Sequence, residues 1–113
     1  MHADARKLIW DARHAAELVA QFTRGKSFGE YEANDLLRSG VERQLAIVGE
    51  ALNRLRKIDP TTASAIADLS RVVGFRNVLV HGYATVDNRV VWGIVEANLD
   101  SLLASLEPLL SKS

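Results

Sequence analysis

Residues 41–55 read VERQLAIVGEALNRL. Val41, Leu45, Val48, Leu52 and Leu55 recur at spacings of four, three, four and three. That interval puts all five on one stripe of an α-helix and is the interval at which bundle helices pack. Extended to its limits, the pattern predicts a long helix over 34–58. Asn34 or Asp35 offers a side-chain oxygen for its N-cap. Asp59-Pro60 stops it, because the residue before a proline is pushed out of the helical region, and Thr61 or Thr62 can start the next helix. Gly40 and Gly49 sit inside the helix at a cost of ~1 kcal/mol each relative to alanine, so each marks a candidate close crossing with a neighbour.

Working outward, residues 4–23 place Ala5, Leu8, Ala12, Ala15, Val19 and Phe22 at helical spacing, ended by Gly25. Lys26 to Tyr31 reads as a connector with room for a short helical turn. Beyond Pro60, residues 63–81 read as a third helix with a candidate break near Ser70, and Thr85-Val86-Asp87-Asn88 as a turn. Residues 89–110 read as one last helix with Val91, Val95, Leu99, Leu102, Leu106 and Leu109 in its stripe and Pro108 loosening its final turn. Strand-type alternation is scarce, and no internal repeat, low-complexity tract or linker is visible. The expected fold is all-α: one domain over residues 1–113, an antiparallel bundle of four main helices.

The bulk numbers narrow the function. A chain of 113 residues, 48% hydrophobic and 25% charged, suits one soluble domain with a single core. Fourteen basic and fourteen acidic side chains cancel, so the chain lacks the basic surplus of a non-specific nucleic-acid binder and any RNA contact must come from a local cluster of arginine and lysine. Absence of cysteine excludes disulfides, thiolate zinc sites and a Cys nucleophile. No apolar run approaches the ~20 residues that span a bilayer, and the N-terminal stretch has no signal-peptide apolar block. A cytoplasmic address without membrane contact is expected.

One segment breaks a local rule. In RNVLVHGY, residues 76–83, Arg76 falls near the middle of the apolar arc formed by Leu69, Val72, Val73, Leu79 and Val80. A guanidinium there is costly unless it is paired or faces a wet cleft. Gly74, Asn77 and His81 share the flank of that arc. Asn77 and His81 are four apart, so their side chains can meet, and Gly74 leaves room for a ligand or another backbone. Gly82 can end the helix in a left-handed conformation, which takes Tyr83 out of helical register. Bland readings stand beside these. Such spacing arises by chance in many helical proteins, Arg76 could pair with a carboxylate such as Glu50, and Tyr83 could be an ordinary rim aromatic.

Arg76, His81 and Tyr83, with Asn77 directly after the arginine, resemble the signature of HEPN ribonucleases. The fuller stretch GFRNVLVHGYATVDNRVVWGIVEANLDSLL is similar to the C-terminal half of HepT-like toxins, and VERQLAIVGEALNRL to their central helix, including Arg43 and Gly49-Glu50-Ala51. With the N-terminal helix, the resemblance covers nearly the whole chain. One departure is visible: a Pro-Trp pair common in the family before the Gly-Phe-Arg-Asn stretch is missing from ASAIADLSRVVGFRN.

The resemblance implies a metal-independent endoribonuclease serving as the toxin of a type VII-like toxin–antitoxin pair, with no cofactor and no metal ligands. Imidazole, with an unperturbed pKa of ~6.5, suits proton transfer near neutrality, so His81 and Arg76 are the expected catalytic pair, Arg76 as phosphate clamp. Asn77 and Tyr83 support them, and Arg43 and Glu50 are candidate phosphate or cleft contacts. One histidine cannot easily serve as both base and acid, and Arg76 and His81 lie ~140° apart on an ideal helix. Both problems ease in a homodimer whose motifs meet across a two-fold axis, as HEPN proteins typically arrange them. The implied antitoxin is a minimal nucleotidyltransferase, which in systems of this kind can transfer AMP to the motif tyrosine, here Tyr83. The rival reading is a non-catalytic subunit that holds nucleotide or substrate for such a transferase; a purely structural helical dimer is a third.

Elsewhere, His2 reads as part of a frayed terminus, His14 as packing on the helix face with Trp10, and Asp11 as a remote candidate for the cleft. Arg54, Arg56 and Lys57 form a basic helix end that complements the dipole or lines a phosphate path, with Arg71 a weaker candidate for that path. Trp92 is expected in the core or at the dimer interface.

Overall fold

Two long helices, α1 (Ala3–Thr23) and α3 (Asp35–Ile58), dominate the structure, a computed structural model that describes residues 1–81 and 86–111, Val80 and His81 by their backbone alone. Both bury the apolar stripes expected of them. Ala5, Leu8, Ala12, Ala15 and Val19 of α1 and Val41, Leu45, Val48, Leu52 and Leu55 of α3 are all buried, and Phe22 packs partly buried against them. The helices run antiparallel, since Phe22 at the end of α1 lies against Gly40 near the start of α3, while Asp11 shares a cleft with Glu50 and Arg54 farther along. Gly40 does mark a close crossing: a Cβ there would lie 3.3 Å from the Phe22 ring. Asn34 is the cap of α3, its side chain accepting from the Leu37 amide at 3.0 Å.

Three expectations are sharpened or corrected. First, the connector after α1, read as having room for a short helical turn, contains a formed helix, α2 (Phe28–Ala33). A capping box starts it: the Ser27 side chain accepts from the Glu30 amide, and the Glu30 carboxylate accepts from the Ser27 amide. This helix carries Tyr31 into the core, 5.1 Å from the Trp92 ring.

Second, the helix after Pro60 opens on Asp59, not on a threonine. Asp59 caps the short α4 (Pro60–Ala63), accepting from the Thr62 amide at 3.1 Å and its hydroxyl at 2.6 Å. These bonds hold its carboxyl below the usual carboxylate range. The chain then leaves the helix over residues 64–68, passing through a left-handed Asp68 at φ 60°. The amide of Ala67 donates to Ser105 Oγ at 3.1 Å, tying this break to the C-terminal helix. Only after it does α5 (Leu69–His81) begin, so the break expected near Ser70 is present and lies just ahead of Leu69.

Third, the last helix is two: α6 (Asn88–Ala97), capped by Asp87, and α7 (Leu99–Ser111). Asn98 separates them at φ −120° while keeping its carbonyl bonded to the Leu102 amide at 2.9 Å. Asparagine has poor helix propensity, and the helical run is interrupted at this single residue, whose side-chain oxygen is buried without a hydrogen-bond partner among the described residues. The stripe itself holds: Val91, Leu99, Leu102 and Leu106 are buried, Val95 and Leu109 partly so, and Pro108 stays inside α7.

The assembled architecture is an all-α bundle with α3 at its centre, packed against both α1 and α5. α7 lies along α1, and Arg13 ties them by reaching Glu107 at 3.0 Å while also pairing with Glu17 of its own helix at 2.9 Å. α2 bridges α3 and α6. Trp92 is buried in the core, 7% exposed. No described helix is long and apolar enough to cross a membrane.

Candidate functional site

Arg76 is the point at which α5 meets α3. The two helices touch at Gly49, where a Cβ would stand 2.2 Å from Arg76 Cβ. Only hydrogen fits there, so Gly49 sets the depth at which α5 docks and hence the starting point of the Arg76 side chain. That side chain is 22% exposed; its Nη2 pairs with Glu50 Oε2 at 2.5 Å and its Nη1 donates to Asn77 Oδ1 at 3.1 Å. Its Nε is buried without a hydrogen-bond partner among the described residues. The charge on the apolar arc is therefore compensated by a carboxylate one residue from the glycine that admits it. Glu50 pairs with Arg76 and not with Arg43.

This ion pair forms part of the wall of a cleft of about 390 Å³ between α1 and α3. Arg43, Glu50 and Arg54 face it from α3, Trp10, Asp11 and His14 from α1, and Arg76 from α5. Three arginines against two carboxylates leave one positive charge in excess at this place on a neutral chain. Asp11 is further neutralised by Lys7 at 2.6 Å. Among the described residues no group of three or more His, Asp or Glu side chains is arranged to hold a metal ion.

Several expected residues thus come together. Arg76, Arg43 and Glu50 share one cleft, and Asn77 touches Arg76 from the exposed side of α5. Gly74 has open space where its Cβ would be. The backbone of His81 ends α5 one turn beyond Asn77; its side chain, with Gly82 and Tyr83, lies outside the described residues. Arg54 lines the cleft, whereas Arg56 bonds Asn53 at 3.0 Å and lines, with Arg71, a separate hollow near α4. The α1 wall was largely missed. Trp10 and His14 do pack on each other, rings stacked 5.0 Å apart, but they form a cleft wall with Asp11, and Trp10 is 51% exposed. The available signal was an aromatic and an imidazole four residues apart beside a carboxylate.

Comparison with known proteins gives the family of the chain. The model of the family described as ribonuclease HepT-like matches residues 12–109. The chain belongs to the HepT-like ribonuclease family. Among curated proteins it is 31% identical to a probable ribonuclease HepT of Thermococcus cleftensis, over 96% of this chain and 98% of that one. It is 29% identical to a putative RNase of Methanocaldococcus jannaschii, over 92% of this chain and 94% of the relative. A putative RNase of Caldanaerobacter subterraneus shares 26% identity over 85% of each chain. No solved structure matches. The matched span contains Arg43, Glu50, Arg76, Asn77, His81 and Tyr83 and begins within α1.

Proposed function

We propose that this chain is an endoribonuclease that cuts RNA without a metal ion and acts as the cytoplasmic toxin of a type VII-like toxin–antitoxin pair. The observation that carries this reading is the Arg76–Glu50 pair, set in an arginine-lined cleft of a HepT-like ribonuclease. In the proposed reaction the RNA 2′-oxygen attacks the adjacent phosphorus and the bond to the 5′-oxygen breaks. This leaves a 2′,3′-cyclic phosphate and a free 5′-hydroxyl. The attacking oxygen loses a proton to one imidazole and the leaving oxygen gains one from another, each a His81. Arg76 clamps the non-bridging oxygens, where charge builds in the transition state. Glu50 and Asn77 hold the guanidinium at a fixed angle, and Arg43 takes a neighbouring phosphate.

A homodimer supplies the second imidazole. The exposed face of α5, with Val78 51% exposed and open space at Gly74, suits contact with a second copy. A minimal nucleotidyltransferase serves as antitoxin and transfers AMP to Tyr83, placing a phosphate that competes with RNA for Arg76. Expression of the chain alone tests the reading. Growth arrest with RNA cleavage, lost in Arg76→Ala and His81→Ala and relieved by co-expressed nucleotidyltransferase, is expected. Harmless expression with nucleotide binding would instead establish the non-catalytic subunit.

A further inference from the structure

The proposed chemistry leaves the α1 wall of the cleft without a role. On that wall the Trp10 and His14 rings stack with planes 16° from parallel, and half of the Trp10 surface stays exposed. Tryptophan commonly buries most of its large apolar surface, so a half-exposed one lining a charged cleft is a platform without its load. The Lys7 ammonium stands 5.9 Å from the ring on a side chain that is 69% exposed, and it can swing aside. Across the cleft, the Arg43 and Arg54 side chains have neither a hydrogen bond nor an ion pair among the described residues. Eleven residues, three helical turns, separate them, so they share one face of α3 ~16 Å apart along its axis, with Glu50 between them.

We infer that this wall is a subsite for an unpaired base of single-stranded RNA, resting on the reading of the cleft given under Proposed function. The base extends the Trp10–His14 stack, while Arg43 and Arg54 hold phosphates on either side of the one clamped by Arg76. Stacking on an aromatic ring requires a base free of its duplex neighbours, and arginines along the groove track the backbone without reading sequence. The subsite therefore selects single strands over duplexes and fixes the register of the strand against Arg76. Trp10 here is a positioning residue for substrate, outside the proton transfers.

The test is anisotropy titration with a labelled, single-stranded 2′-O-methyl oligoribonucleotide, whose blocked 2′-oxygens prevent cleavage. Trp10→Ala is expected to bind about 5- to 150-fold more weakly than the wild type, and Trp10→Phe within about threefold of it. A duplex of the same sequence should bind both wild type and Trp10→Ala equally. Molar mass by light scattering and helical circular dichroism should be unchanged. Equal single-strand affinity of Trp10→Ala and wild type overturns the subsite. So does weakened binding accompanied by a fall in molar mass, which makes Trp10 a contact between copies. Should the wild type bind in a Trp10-dependent way without cutting ordinary RNA, the subsite stands and the ribonuclease reading falls. Cutting with Trp10-independent binding does the reverse, and no wild-type binding overturns both.

Discussion

Gly49→Ala is the change that most directly tests how the site is built. The new Cβ would lie 2.2 Å from Arg76 Cβ, 2.8 Å from its Cγ and 3.2 Å from the Val72 carbonyl oxygen. Carbon atoms rest at about 3.5–4.0 Å, so α5 must recede by at least about 1.3 Å. No flexible tip can absorb this, because Arg76 Cβ and the Val72 carbonyl are fixed to the helix itself. Overpacking of this kind costs about 1–3 kcal/mol, against which alanine recovers ~1 kcal/mol of helix propensity. The net expectation is a loss of up to ~2 kcal/mol, read by urea denaturation. Activity should suffer more than stability. A 1 Å displacement of a positioning group can cost about 100-fold in rate, and here it moves the guanidinium off Glu50. The control is Gly93→Ala in α6, where nothing lies within 4 Å of the new Cβ; it should gain up to ~1 kcal/mol from propensity alone. A Gly49→Ala protein with wild-type stability and wild-type RNA cleavage would refute the claim that this contact sets the position of Arg76.

Two further predictions concern a half-buried carboxyl and a buried hydroxyl. Burial holds the Glu42 carboxyl above its ordinary 4.5, with Arg38 opposing the shift. The folded state therefore binds that proton more tightly, and the stability it adds is present below the unfolded value and lost as pH rises through the folded one. Glu42→Gln should accordingly melt higher than the wild type at pH 7, with the gap closing toward pH 4; an equal gap at both would contradict it. The Tyr31 hydroxyl is fully buried without a hydrogen-bond partner among the described residues, and its pKa is pushed well up by burial and by Glu42. Tyr31→Phe should be neutral or stabilising by about 1 kcal/mol in thermal or urea unfolding, and a loss of that size would show the hydroxyl to be bonded.

The two long helices were legible because their stripes are unbroken and their ends carry strong punctuation, Gly25 after α1 and Asp59-Pro60 after α3. The split at Asn98 was not, because the apolar stripe runs on from Val91 to Leu109 and periodicity is blind to the dihedral of one residue. The break near Ser70 was legible, but its extent was not: Ile66 is buried and reads as part of a helical pattern, although the chain around it is not helical. The α2 signal, Ser27 with Glu30 three residues later, was present in the letters and lost among small and polar neighbours. Within the site, Arg76 stood out because a charge on an apolar arc demands a partner, and Glu50 lay on the facing helix. Trp10 did not, and Asp11 stood only as a remote candidate, since the period of α1 reveals which residues share a face but not which helix that face meets.

Incubation of the purified, metal-stripped chain with single-stranded RNA in excess EDTA, with end-group analysis of the fragments, is the most direct test of the proposed ribonuclease chemistry. Cleavage that yields 2′,3′-cyclic phosphate ends and disappears in His81→Ala and Arg76→Ala is the predicted result. Intact RNA with the wild type, or cleavage that both variants retain, would contradict it.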